Sequence, residues 1–209
     1  GTPGQARASN TVSLVKARYI VETEEWEVRP ITDESSMHEL LATGISAART
    51  GDQATVAQAE AALKEMAAQG PNGNRNANIM AKEVGALLHA GMGHASVATR
   101  LMDEAQAIVD AGSAPRGAAS PVKPVYELYG EILLDLDQPA DAIEKFETSL
   151  IRMPNRPRSL LGLARAYAET GDLGMAAKAY EQLSEVWAGR ESFDGYQEAH
   201  RFLMSTGQP

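Results

Sequence analysis

Residues Val122–Trp187 read VKPVYELYGEILLDLDQPADAIEKFETSLIRMPNRPRSLLGLARAYAETGDLGMAAKAYEQLSEVW, and this stretch decides the fold. Shifted by 34 residues it repeats its own chemistry: Gly130 falls on Ala164, Ala142 on Ala176, Phe146 on Tyr180, and Tyr126 and Tyr129 on Leu160 and Leu163. A fixed period of that length marks stacked helical hairpins. The small residues stand where the two helices of a hairpin touch. The aromatic fills the wedge between one hairpin and the next.

The pattern resembles the tetratricopeptide repeat, with a small residue at position eight, Ala at twenty, an aromatic at twenty-four and Pro154 at thirty-two. The fourth hairpin has Ala188 at that last position, and Tyr126 stands where the family prefers Trp. The resemblance implies an all-α fold, an antiparallel helical-hairpin solenoid closed by a C-terminal capping helix. Pieces such as VKARYIVETEEW, SPVKPVYELYGEILLDLDQPADAIEKFETSLIRMPNR and GYQEAHRFL also resemble the C-terminal part of larger bacterial tetratricopeptide proteins of unassigned function, many of which carry export signals.

The register extends outward from there. Residues 1–7 read as a disordered tail, and 8–35 as a degenerate leading hairpin with a linker. Ser9 is the expected N-cap of its helix, with Val12, Val15, Tyr19 and Thr23 as the apolar stripe. Pro30 cuts short the partner helix that Trp26 would begin. Ser36 followed three residues later by Glu39 forms a capping-box pattern. Residues 36–205 form the repeat domain, with hairpins starting near 37, 78, 123 and 157 and a cap over 193–204. The TGD turn at Thr50–Asp52 recurs at Thr170–Asp172 and fixes that register. GPNGNRNAN (70–78) and GSAPRGAASP (112–121) are turn-rich insertions. In the cap, Phe193, Tyr196 and Leu203 are expected to cover the open end, and Gln197, Glu198 and Arg201 to face water.

The 209 residues carry a formal charge of −9, which disfavours a nucleic-acid backbone as partner. The absence of cysteine excludes disulfides and thiol chemistry. No apolar run approaches the length of a membrane span. A chain opening on Gly1 reads as a processed or engineered start, so both a cytoplasmic and an exported, periplasmic location stay open.

Catalytic and cofactor motifs find no support. The glycine-rich stretches lack a following Gly-Lys-Ser/Thr. Asp135, Asp137 and Asp141 suggest a calcium loop, but Pro139, Ala140 and Phe146 occupy positions such a loop needs for a ligand, a glycine and a closing glutamate. His89 and His94 are five apart across a turn, the wrong spacing for one helical face, and read as solvated surface residues. No metal or other cofactor is expected.

Binding is the better reading. The family's groove positions are two, five, nine, twelve and thirteen of each first helix. The resemblance places His38, Leu41 and Ile45 there in the first full hairpin, and Lys82 and His89 in the second. Glu127, Glu131 and Asp135 take these positions in the third hairpin, and Arg158, Leu161 and Arg165 in the fourth. The expected function is a non-enzymatic protein–protein interaction module holding a peptide or protein segment in a concave groove. Lys82 meets the family's carboxylate-clamp pattern but Ala86 stands where Asn is needed, so a clamp is not expected. The alternative is a structural or oligomerisation segment that stacks on further N-terminal repeats or on another subunit, including a homo-oligomer formed through the open N-terminal end.

Overall fold

The computed structural model describes residues 3–69, 73–112 and 121–207, with side chains from residue 11 onward. The insertion at 112–121 lies mostly outside the described residues, as does the start of the one at 70–78. Among the described residues there are ten α-helices and no strand: α1 (Pro3–Thr23), α2 (Met37–Thr50), α3 (Gln53–Ala68), α4 (Arg75–Gly91), α5 (Ala95–Asp110), α6 (Val125–Asp135), α7 (Pro139–Arg152), α8 (Pro157–Thr170), α9 (Leu173–Val186) and α10 (Asp194–Ser205). None is long and apolar enough to cross a membrane. The helices form two compact units, Gly1–Val125 and Tyr126–Pro209.

In the first unit each helix packs on the one before it, and α2 also meets α4. The expected capping box starts α2: Ser36 Oγ accepts from the Glu39 N–H, and Glu39 Oε2 accepts from the Ser36 N–H at 2.9 Å. Gly51 ends the helix at φ +81, a left-handed conformation that favours glycine. Asp52 then caps α3 by accepting from the Thr55 N–H. Gly44 is the small residue of this hairpin, because a Cβ there would stand 2.8 Å from Val84 and 3.3 Å from Ala59.

Two expectations about α1 are corrected. The helix begins at Pro3, so Ser9 is an interior residue rather than a cap, and residues 3–7 are helical in backbone. Proline is well tolerated in a first turn, and nothing in GQARAS breaks a helix. The buried face is also a different one. Ser13, Ala17, Ile20 and Val21 are buried, whereas Val12, Val15 and Tyr19 are more than half exposed. Ser13 and Ala17 let α1 approach α2, and Ile20 and Val21 complete the buried face. Residues 24–36 form no helix, as Pro30 requires; Glu27 N–H instead donates to Ser46 Oγ of α2 at 3.2 Å. The second full hairpin starts at Arg75, capped by Asn74, rather than at 78.

In the second unit, α8 packs on α7, α9 on α8 and α10 on α9. Phe146 of α7 is fully buried between Gly130 of α6 and Gly162 of α8, where a Cβ would come within 2.7 Å and 2.2 Å of its ring. Gly171 repeats the left-handed stop at φ +84, and Asp172 repeats the cap by accepting from the Met175 N–H at 3.0 Å. Ala176 is fully buried, as its repeat position requires.

Candidate functional site

The expected groove residues fall into three environments. The first is closed by packing. His38, Leu41 and Ile45 of α2 and Leu161 of α8 are buried. Burial, helped by the Arg18 charge, lowers the His38 imidazole below its ordinary value and keeps it neutral. Leu161 lies against Gly195 of α10, where a Cβ would stand 2.9 Å from Leu161 Cδ2.

The second environment is a buried ion pair. Glu127 has no exposed surface, and it takes a forked bond from Arg156, Nε to Oε2 at 2.6 Å and an Nη to Oε1 at 2.9 Å. Ser159 Oγ donates to the same Oε2 at 2.7 Å. Arg156 sits at the N-cap of α8 but cannot cap it, because a guanidinium has no acceptor for a backbone N–H, and it donates to Glu127 of α6 instead. Position five of the third hairpin is therefore an internal anchor, not a groove residue. The sequence reading missed Arg156 because the family rule names helix positions, and this residue belongs to the turn.

The third environment is the end of the second unit. Arg158 is buried, its guanidinium 5.5 Å from the centre of the Trp187 ring. Arg165 grips Glu198 of α10 with Nε at 2.8 Å and an Nη at 2.6 Å, and Tyr180 Oη donates to Glu198 Oε1 at 2.7 Å. Glu198, expected to face water, thus ties α8, α9 and α10 together. Phe202 rather than Leu203 makes the ring contact with Tyr180, centroids 4.8 Å apart, and Phe193 meets Trp187 edge-on. Burial raises the Tyr180 phenol, and the bond to Glu198 raises it further, so it stays a donor.

Burial also pushes the Glu198 carboxyl up, but the bonds from Arg165 and Tyr180 outweigh it and leave it below the ordinary 4.5. A carboxyl depressed in the folded state stabilises above its unfolded pKa and loses that contribution as pH falls through the folded value. The thermal midpoint advantage of the native chain over Glu198→Gln should therefore hold at neutral pH and shrink steadily below pH 4.5. A gap independent of pH in that range would mean that the carboxylate does not tie down α10.

Lys82 and His89 remain at the surface of the first unit. Lys82 Nζ bonds Glu104 of α5, which Arg100 also holds at 3.2 Å. The Lys82 hydrogen bond lowers the Glu104 carboxyl, with the two cations adding to it. His89 Nδ1 lies 3.3 Å from His94 Nδ1. On α6, Glu131 is half-buried and Asp135 exposed.

A cleft of about 770 Å³ opens beside α2, lined among others by Ser13, Arg29, Thr32, Ser36, Glu39 and Thr43. Two of its charged side chains already bond neighbours, Glu39 to Ser36 and Arg29 to Glu27. Among the described residues no three His, Cys, Asp or Glu side chains gather as a metal-ligand set.

Comparison with known proteins agrees with the repeat period. A tetratricopeptide repeat family model matches residues 133–188. No curated protein matches the chain. Among solved structures, a mutant of MamA is 17% identical, covering 87% of this chain and 99% of its own, with a TM-score of 0.44. MamA of MSR-1 is 18% identical over 85% and 93%, with a TM-score of 0.45. The C-terminal part of a tetratricopeptide repeat-containing protein from Cytophaga hutchinsonii is 16% identical over 93% and 83%, with a TM-score of 0.36. The family match thus runs from the end of α6 to just beyond α9.

Proposed function

We propose that the chain is a non-enzymatic protein–protein interaction module that takes a basic peptide or protein segment along the accessible acids of α6. The tandem hairpins support the class, because such stacks present extended surfaces to partner segments. Glu131 and Asp135 support the chemistry of the partner. They lie one turn apart on α6, reachable from solvent, in a chain of net charge −9. Glu127 has no part in this surface.

The test uses a fluorescent lysine- and arginine-rich peptide and an acidic peptide of equal length. The basic one should bind, with affinity falling as salt is raised. Glu131→Lys with Asp135→Lys should weaken it by about tenfold or more, because like charges facing each other repel. Far-ultraviolet circular dichroism of the double variant should still report the helical fold. Equal binding of both peptides, or no loss in the double variant, would overturn the reading.

The exposed face of α1 favours a second reading, in which the chain is a segment for stacking. Val12, Val15 and Tyr19 lie on one side of the helix at 53%, 61% and 54% exposure. An apolar stripe of this kind favours association. Light scattering over a concentration series should give a rising mass for the native chain and a constant one for Val12→Glu with Val15→Glu. A native mass that stays monomeric throughout would remove this reading.

A further inference from the structure

The turn between α4 and α5 holds ligand-type side chains that neither helix packing nor the acidic surface uses. It reads His89-Ala90-Gly91-Met92-Gly93-His94. His89 lies in the last turn of α4, Met92 is the C-cap, and His94 precedes α5 without making a side-chain cap bond. Gly93 turns the chain at φ +74, and the His94 N–H closes the turn on the His89 carbonyl at 2.8 Å. Two residues five apart in sequence thereby become neighbours. Their Nδ1 atoms are 3.3 Å apart, the ring centroids 5.6 Å apart and the ring planes tilted by 36°.

Met92 is half exposed and flanked by two glycines that offer its thioether no obstruction. On one side of the turn, the Gln53 amide lies where a Gly91 Cβ would be, 2.3 Å from that position. Its Oε1 is buried without a hydrogen-bond partner.

Two imidazoles at 3.3 Å can share a proton in a long hydrogen bond. The same separation also fits a cation. With metal–nitrogen bonds of about 2.0–2.1 Å, nitrogens this far apart subtend roughly 105–110°, close to the tetrahedral angle. The third side chain selects the ion. A thioether is soft and adds little for zinc or a hard cation, but with imidazole it suits copper(I). No Asp or Glu lies between Ala86 and Thr99 to favour a harder ion. We propose that His89, Met92 and His94 form a copper(I)-binding site on the α4–α5 turn. Its exposure makes it a site of exchange, not one on which the fold depends.

The test is an anaerobic titration of the full chain with copper(I), kept reduced by ascorbate, in competition with the chromophoric chelator bicinchoninate. The native chain should withdraw one equivalent from the chelator. His89→Ala with His94→Ala should abolish that withdrawal while leaving the far-ultraviolet circular dichroism unchanged. Met92→Leu should weaken copper(I) by about tenfold and leave zinc(II) affinity as it was, because only the softer ion uses the thioether. No withdrawal by the native chain, or full withdrawal by the double histidine variant, would overturn the site. Undiminished copper(I) affinity in Met92→Leu would overturn the thioether's part and with it the choice of ion.

Discussion

Arg156→Ala should lower the urea midpoint of the second unit more than any single surface change, by about 3–5 kcal/mol of unfolding free energy. The cause is the partner it leaves behind. Glu127 has no exposed surface, and its two oxygens are matched to the guanidinium fork at 2.6 Å and 2.9 Å. Ser159 supplies one further donor, and Ser159 itself pairs with Ser149 at 2.8 Å. Loss of the guanidinium takes both charge-assisted bonds away from a buried carboxylate. Removing the charge as well should recover part of the loss, so Arg156→Ala with Glu127→Ala is expected to be more stable than Arg156→Ala alone. An unchanged midpoint in the single variant would show that the Arg156 fork does not hold Glu127 in place.

Phe146→Ala should cost about 3–5 kcal/mol, the range for deleting a buried aromatic. The ring fills the space between two glycines on two different helices, and neither carries a side chain that could move into the cavity. Collapse of α6 onto α8 is the one relief open to the site, and backbone resists it. Differential scanning calorimetry of the purified variant measures the loss. A shift smaller than that of a typical surface substitution would remove Phe146 from its wedge position.

That wedge was legible from sequence, because Phe146 and Tyr180 recur at the repeat period beside Gly130 and Ala164. So were the Ser36–Glu39 box and the two TGD turns, since each rests on atoms within a few residues of one another. The orientation of α1 was not. Its valines and tyrosine have the spacing of a core stripe, yet burial goes to Ser13, Ala17, Ile20 and Val21 on the other side of the helix. Pattern alone cannot distinguish a face that is large from a face that lies close.

The surroundings of the expected groove residues were less legible. Family positions assigned Glu127 to the groove and the pattern of the capping helix turned Glu198 to water, but both carboxylates meet arginines roughly thirty residues away in sequence. Such pairings depend on how a turn or a cap folds back, which no helical period encodes. The same holds for His89 and His94. Their spacing is wrong for one helix face, and the turn at Gly93 makes it right for a different geometry.

In the second unit each helix from α8 onward packs on its immediate predecessor, as α2 to α5 do in the first unit. Pairing between neighbours keeps contact order low, so closing each hairpin forfeits little chain entropy before contacts form. Folding should accordingly be fast, in the microsecond-to-millisecond range of helical proteins, and unfolding should proceed by fraying rather than in one step. Amide hydrogen exchange would display this as a gradient within the second unit, quickest in α10 and slowest around the Phe146 wedge. A partner that grips α10 would slow exchange there first, leaving α7 nearly as it was.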